Sequence, residues 1–121
     1  MPPGQTSRRP DPAQINVFLT LLGQLARVDP EFPFHYAICL AHISLDEGMS
    51  LTMLAEQTGL SLSTVSRIVG ALSEHRQNGQ SYGLVDVRIS KEERRRKELY
   101  LTAKGWALMR SISGVLVRVS S

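Results

Sequence analysis
Apolar residues recur at helical spacing in five stretches of this chain and at strand spacing in two. Ile15, Phe18, Leu19, Leu22, Leu25 and Ala26 form one stripe, widened by Val17, Leu21 and Val28. Asp11-Pro12 offers a cap and a first-turn proline ahead of it, and Asp29-Pro30 predicts its end. A second helix is expected over 33–45, with Phe34, Ala37, Ile38, Ala41 and Leu45 inward. Leu51, Leu54 and Ala55 then share a face, Gly59 sits where the chain must turn, and Leu60 anchors that turn. Leu62, Val65, Ile68, Val69 and Leu72 make the inner face of the next helix. Ser50 and Ser61 stand at the two cap positions. Residues 84–89 alternate, with Val85, Val87 and Ile89 on one side, and residues 98–101 alternate again, with Leu99 and Leu101 together. Thr102 reads as the cap of a last helix from Ala103 to about Val119, carrying Trp106, Met109, Ile112 and Leu116.

Two short helices around a tight turn (50–76), then strand, charged loop, strand and helix, spell a winged helix-turn-helix. The expected fold class is therefore mainly α (α+β), with a two-stranded β wing over 83–102. Helices in 12–46 and 103–121 flank it and serve both the core and a dimer. Residues 1–11 read as a disordered arm, and 12–121 as one domain.

The second helix of the motif leaves Ser63, Thr64, Arg67 and Gly70 on its outer face. Small hydroxyl side chains let a DNA backbone approach and can bond phosphates or base edges. Arg67 is long enough to grip a guanine edge with two hydrogen bonds. The loop 90–97 sets Lys91, Arg94, Arg95, Arg96 and Lys97 against Glu92 and Glu93. A solvated hairpin tip has the same composition. Beside a reading helix, contact with phosphates or the minor groove is the favoured role.

The charge balance sharpens this. The net charge of the 121 residues is +3, but residues 1–60 carry three arginines against six acids. Residues 61–121 carry eleven basic residues against five acids, so the positive half holds the reading helix and the loop. That asymmetry suits a polyanionic partner.

The run LAEQTGLSLSTVSRIVGAL, followed by GLVDVRIS, ERR and LTAKG, resembles the multiple-antibiotic-resistance regulator (MarR) family of winged-helix repressors over about residues 50–106. The resemblance implies that Ser63, Thr64, Ser66 and Arg67 face the major groove, and the cap Ser61 is counted with them as a candidate DNA contact. It also implies that Arg95 enters the minor groove and that Glu93 steadies the wing. It further implies a homodimer built from the terminal helices, for which Ile15, Phe18, Leu22, Trp106, Ile112 and Leu116 are the candidate contacts. Three departures stand out: Glu93 replaces the family's usual aspartate, residues 75–82 (HRQNGQSY) insert before the first strand, and the C-terminal end is short. Small aromatic acids act as effectors in many members, but no pocket for one is legible here.

Other chemistries have less support. His35, Cys39, His42 and Asp46 follow at spacings of four, three and four, one helical stripe of legitimate zinc ligands. Spread over three turns they splay too far for a single ion, so no metal or other cofactor is expected. Cys39, between Ile38 and Leu40, reads as buried rather than as a redox sensor, and a single cysteine excludes an internal disulfide framework. There is no Gly-rich phosphate loop, no nucleophile with a placed base and no carboxylate pair, so catalysis is not expected. No apolar run reaches membrane-spanning length, and the N-terminus lacks the apolar core of a secretory signal. A cytoplasmic, nucleoid-associated protein is expected. The leading function is a dimeric repressor that reads an inverted repeat in double-stranded DNA. The alternatives are a small phage or plasmid winged-helix protein for partition, maintenance or DNA architecture, and a winged helix used only for protein contacts.

Overall fold
The computed structural model describes residues 9–73 and 81–120, with the side chains of 118–120 left aside. Its elements run α1 (Pro12–Val28), α2 (Phe34–Leu45), β1 (Met49–Ser50), α3 (Leu51–Thr58), α4 (Leu62–Leu72), β2 (Val85–Ile89), β3 (Lys97–Leu101) and α5 (Ala103–Ser120). The caps stand where the sequence put them. Asp11 accepts the Ala13 N–H, Ser50 that of Met53 and Ser61 that of Thr64. Gly59 ends α3 in the left-handed region at φ 75°, a conformation that costs glycine nothing.

β2 and β3 pair antiparallel as the expected hairpin, with Val87 opposite Leu99 and Ile89 opposite Lys97. The structure adds a strand that the sequence did not announce. Met49 and Ser50 pair with Leu99 and Glu98, giving a three-stranded sheet in the order β1-β3-β2. Two residues are too few to show a period, and the pairing exists only because β3 folds back beside them.

The core joins Cys39, Leu40 and Ile43 of α2 to Leu54 of α3 and to Val65, Ile68, Val69 and Leu72 of α4. Leu84, Val85, Leu99, Leu101 and Leu108 close it from the sheet and α5. The register of α2 differs from expectation. Tyr36, Cys39, Leu40 and Ile43 turn inward, while Phe34, Ile38 and Leu45 face outward, Leu45 at 84% exposure. A helix apolar on nearly every side gives no moment to orient it, so the neighbours decide. Leu62 is likewise outward, at 51% exposure. In α5, Leu108 and Val115 are the buried apolar side chains among those described, beside the buried Gly105; Trp106, Met109 and Ile112 pack at the core's edge, and Leu116 is exposed. Val119 lies outside the described side chains.

Most of the insertion 75–82 also lies outside the described residues, but its last residue is a core member. Tyr82 is 6% exposed and packs edge-on against Phe32 and Tyr36. Its hydroxyl donates to Asp29 Oδ2 at 2.6 Å, tying the α1–α2 elbow to the start of the wing. The stretch read from the sequence as an insertion therefore ends in a residue of the core. Tyr82→Phe should keep the ring packing and lose the charged hydrogen bond. Thermal or urea unfolding should register a loss of about 1.5–3 kcal/mol.

Candidate nucleic-acid interface
Helix α4 and the wing are locked together by their backbones. The carbonyls of Ala71, Leu72 and Ser73 at the end of α4 accept the N–H groups of Tyr82, Leu84 and Gly83. These are helix-end acceptors with no partner inside the helix, and the returning chain satisfies them. The Leu84 carbonyl in turn accepts the Thr102 N–H, and the Thr102 hydroxyl donates to the Gly83 carbonyl at 2.7 Å. Gly105 permits this junction. A Cβ there would overlap the Leu84 carbonyl oxygen and lie 3.3 Å from the Leu101 Cβ.

On α4, Leu62, Ser63, Ser66 and Arg67 are exposed, Thr64 and Gly70 are half-buried, and Val65, Ile68, Val69 and Leu72 are buried. The Ser61 hydroxyl accepts the Thr64 N–H at 3.1 Å and donates to Thr64 Oγ1 at 2.8 Å. It builds the helix start, with Ser63 Oγ 3.2 Å away.

Ser90 organises the wing tip, a role that the sequence reading missed. It is 7% exposed, its hydroxyl accepts the N–H groups of Glu92 and Glu93, and its own N–H donates to the Arg96 carbonyl. Glu93 closes the tip through its backbone, its carbonyl accepting the Arg96 N–H at 2.9 Å. A serine directly before a Lys-Glu-Glu turn was the available signal, since serine hydroxyls commonly bond the N–H two or three residues on. Residues 91–97 all stand exposed, five cations against two carboxylates.

An open cleft of about 590 Å³ runs between these parts. The start of α3 (Ser50, Leu51, Thr52), Leu62 and Ser66 of α4, and Glu93, Arg95, Arg96 and Lys97 of the wing line it. The fold thus brings Ser66, Arg95, Arg96 and Lys97 into one surface. Arg67, Lys91 and Arg94 are exposed but do not line this cleft, and Ser50, Thr52 and Leu62 are members that the sequence reading did not include. Sharing Leu51, Ser66 and Lys97 with it, a cavity of about 340 Å³ lies between α4 and β2, lined also by Val69, Gly70, Ser73, Val85 and Val87.

The opposite face of the sheet stiffens the hairpin. Arg88 Nε lies 2.9 Å from Asp86 Oδ2, and its guanidinium sits 4.1 Å over the Tyr100 ring. The Tyr100 hydroxyl donates to Glu98, and the Leu101 N–H to Glu47. The hydrogen bond that Arg88 donates to the Asp86 carboxylate holds Arg88 above the ordinary arginine range. Partial burial, then the Glu98 carboxylate, push the Tyr100 phenol up as well.

The stripe His35, Cys39 and His42 does not converge. Cys39 is fully buried, His35 is exposed against the Phe34 ring, and among the described residues no three His, Cys, Asp or Glu are placed to hold a metal. Burial pushes the Cys39 thiol up to about 11, so it stays protonated at neutral pH and lacks the thiolate a redox sensor needs.

Comparison with known proteins places this architecture. The sequence profile of the IclR helix-turn-helix domain matches residues 40–77, which contain α3 and α4. Among curated proteins no sequence relative matches. Among solved structures, MepR of S. aureus in complex with DNA superposes with a TM-score of 0.74 at 15% identity, over 89% of this chain and 82% of that one. MarR does so with a TM-score of 0.58 at 20% identity, over 89% and 77% of the two chains. The fold is that of the MarR family. A further MarR-type structure, the transcriptional repressor CouR bound to a 23-mer DNA duplex, matches at 25% identity and a TM-score of 0.62, over 87% of this chain and 68% of that one. The winged-helix fold class read from the sequence stands, with five helices and the small antiparallel sheet among the described residues.

Proposed function
We propose that this chain is a sequence-specific regulator of transcription, a dimeric repressor that reads an inverted repeat in double-stranded DNA. The observation that carries the reading is the cleft in which the exposed face of α4 meets Arg95, Arg96 and Lys97 of the wing. A duplex seated there has α4 in its major groove and the wing tip along its backbone or in the flanking minor groove. Ser63, Ser66 and Arg67 carry the base and phosphate contacts on the helix, with Thr64 and Ser61 holding the helix start. Lys91, Arg94, Arg95, Arg96 and Lys97 carry the charge, and Ser90 and Glu93 shape the tip. MepR and CouR, which share the fold, were solved with DNA, and this supports a binding protein rather than an enzyme.

The homodimer rests on apolar surface that one chain leaves open. α1 buries none of its residues fully; Ile15, Phe18, Leu19 and Leu22 are exposed along it, with Leu116 and Val117 on α5, the helix it packs against. An apolar face of this extent calls for a partner. Two copies joined through it can set two α4 helices one DNA turn apart, roughly 34 Å. Trp106 and Ile112 already pack on their own core and contribute at most their outer edges. Among the described residues no helix is long and apolar enough to cross a membrane, and a cytoplasmic, DNA-associated location fits this reading.

The test is fluorescence anisotropy against DNA from upstream of the protein's own gene, with a scrambled duplex and a salt series alongside. Tight, sequence-dependent binding with a steep salt slope is expected. Equal weak binding to both duplexes would favour an architectural role. Arg67→Ala should relax base preference at one position per half-site, at a cost of about 1–3 kcal/mol. Equal losses on cognate and scrambled duplexes would remove Arg67 from base reading.

A further inference from the structure
We infer that Leu62 is a base-reading residue, and that what it reads is the C5-methyl group of a pyrimidine, a thymine in unmodified DNA. The inference rests on the DNA-binding reading above and deepens it. Leu62 is the first residue of α4, directly after its cap Ser61. The first residues of a recognition helix are those that reach base edges.

Leu62 has no packing duty at that position. The two apolar residues that staple a helix start to its core stand immediately before the cap and four positions into the helix, which here are Leu60 and Val65. Leu60 packs against the core and Val65 is fully buried within it. Leu62 is instead 51% exposed and lines the cleft with Ser66, Arg95 and Arg96. Ser66 is one helical turn away on the same face.

A duplex held by the wing arginines and Ser66 must therefore cover Leu62. Covering a leucine is favourable only against an apolar group. On the base edges of the major groove that group is the pyrimidine methyl, since the other positions present hydrogen-bond donors and acceptors. Arg67 and the serines select by hydrogen bonds. Leu62 adds a contact that they cannot supply, discriminating thymine from cytosine or uracil at one position in each half-site.

The test uses the full-length protein and a duplex obtained by site selection from random sequence. Each thymine is replaced in turn by deoxyuridine, which deletes only the methyl group. Wild-type affinity should fall at one symmetry-related thymine pair, by about fourfold for each methyl lost, and by about fifteenfold when both half-sites are changed. Leu62→Ala should bind the thymine and deoxyuridine duplexes alike, and 5-methylcytosine at that position should partly replace thymine for the wild type alone. Sequence-specific binding that is indifferent to every deoxyuridine substitution would overturn the assignment and leave the regulator reading standing. Deoxyuridine sensitivity that persists in Leu62→Ala would give the methyl contact to another side chain and equally overturn it. Failure of selection to yield any preferred duplex would instead overturn the regulator reading itself.

Discussion

Gly105→Ala is expected to cost the domain on the order of 3 kcal/mol and to lower its melting temperature by about 10 °C. Alanine normally stabilises a helix relative to glycine, by roughly 1 kcal/mol. Here the added Cβ falls on the Leu84 carbonyl oxygen and close to Leu101. Neither can yield easily. The Leu84 carbonyl accepts the Thr102 N–H and the Leu84 N–H donates to Leu72, so moving this peptide disturbs the end of α4 and the start of α5 together. Relief would require α5 to lift off the sheet, uncovering Leu84, Leu101 and Leu108. Thermal unfolding followed by circular dichroism checks the prediction. An unchanged midpoint would show that the contact between α5 and the Leu84 peptide has slack. Because the same junction aims α4 relative to the wing, DNA affinity measured well below the melting temperature should fall as well.

Neutralising Arg94, Arg95 and Arg96 together should weaken binding by about three orders of magnitude at moderate salt, on cognate and scrambled DNA alike. Each phosphate contact contributes roughly 0.9 to the slope of log affinity against log salt, so a dimer that loses six should show a slope shallower by about 5. Arg95→Ala or Arg96→Ala alone should each cost more than Arg94→Ala, since Arg95 and Arg96 line the cleft while Arg94 does not. Fold stability should hardly change, because the three side chains are exposed and the tip is closed by Ser90 and backbone hydrogen bonds. Anisotropy titrations across a salt series measure both quantities. A slope unaffected by the triple substitution would reduce the wing to a solvated hairpin and leave α4 to carry the binding.

These two experiments probe different links. Gly105 tests how the scaffold holds its reading elements in place. The arginines test what those elements offer to DNA once held. Stability lost with the salt slope kept, or the reverse, would separate the two.

What the sequence by itself determined about this protein is local. Asp11, Ser50, Ser61, Gly59 and the alternation in 84–89 set helix starts, a turn and a strand through interactions within a few residues, and these stand in the structure. The concentration of cations in 91–97 was legible for the same reason, because charge needs no fold to be counted. Tertiary structure alone decided which faces are covered. α2 and Leu62 turned out differently because an apolar residue at helical spacing says that a face exists, not which neighbour arrives to bury it. The pairing of Met49 with Leu99, the seating of Tyr82 on Asp29, and the cleft uniting Ser50, Leu62 and Arg95 all join residues tens of positions apart. Such contacts arise from packing the whole chain around one core, where the free energy belongs to the arrangement and not to any single segment.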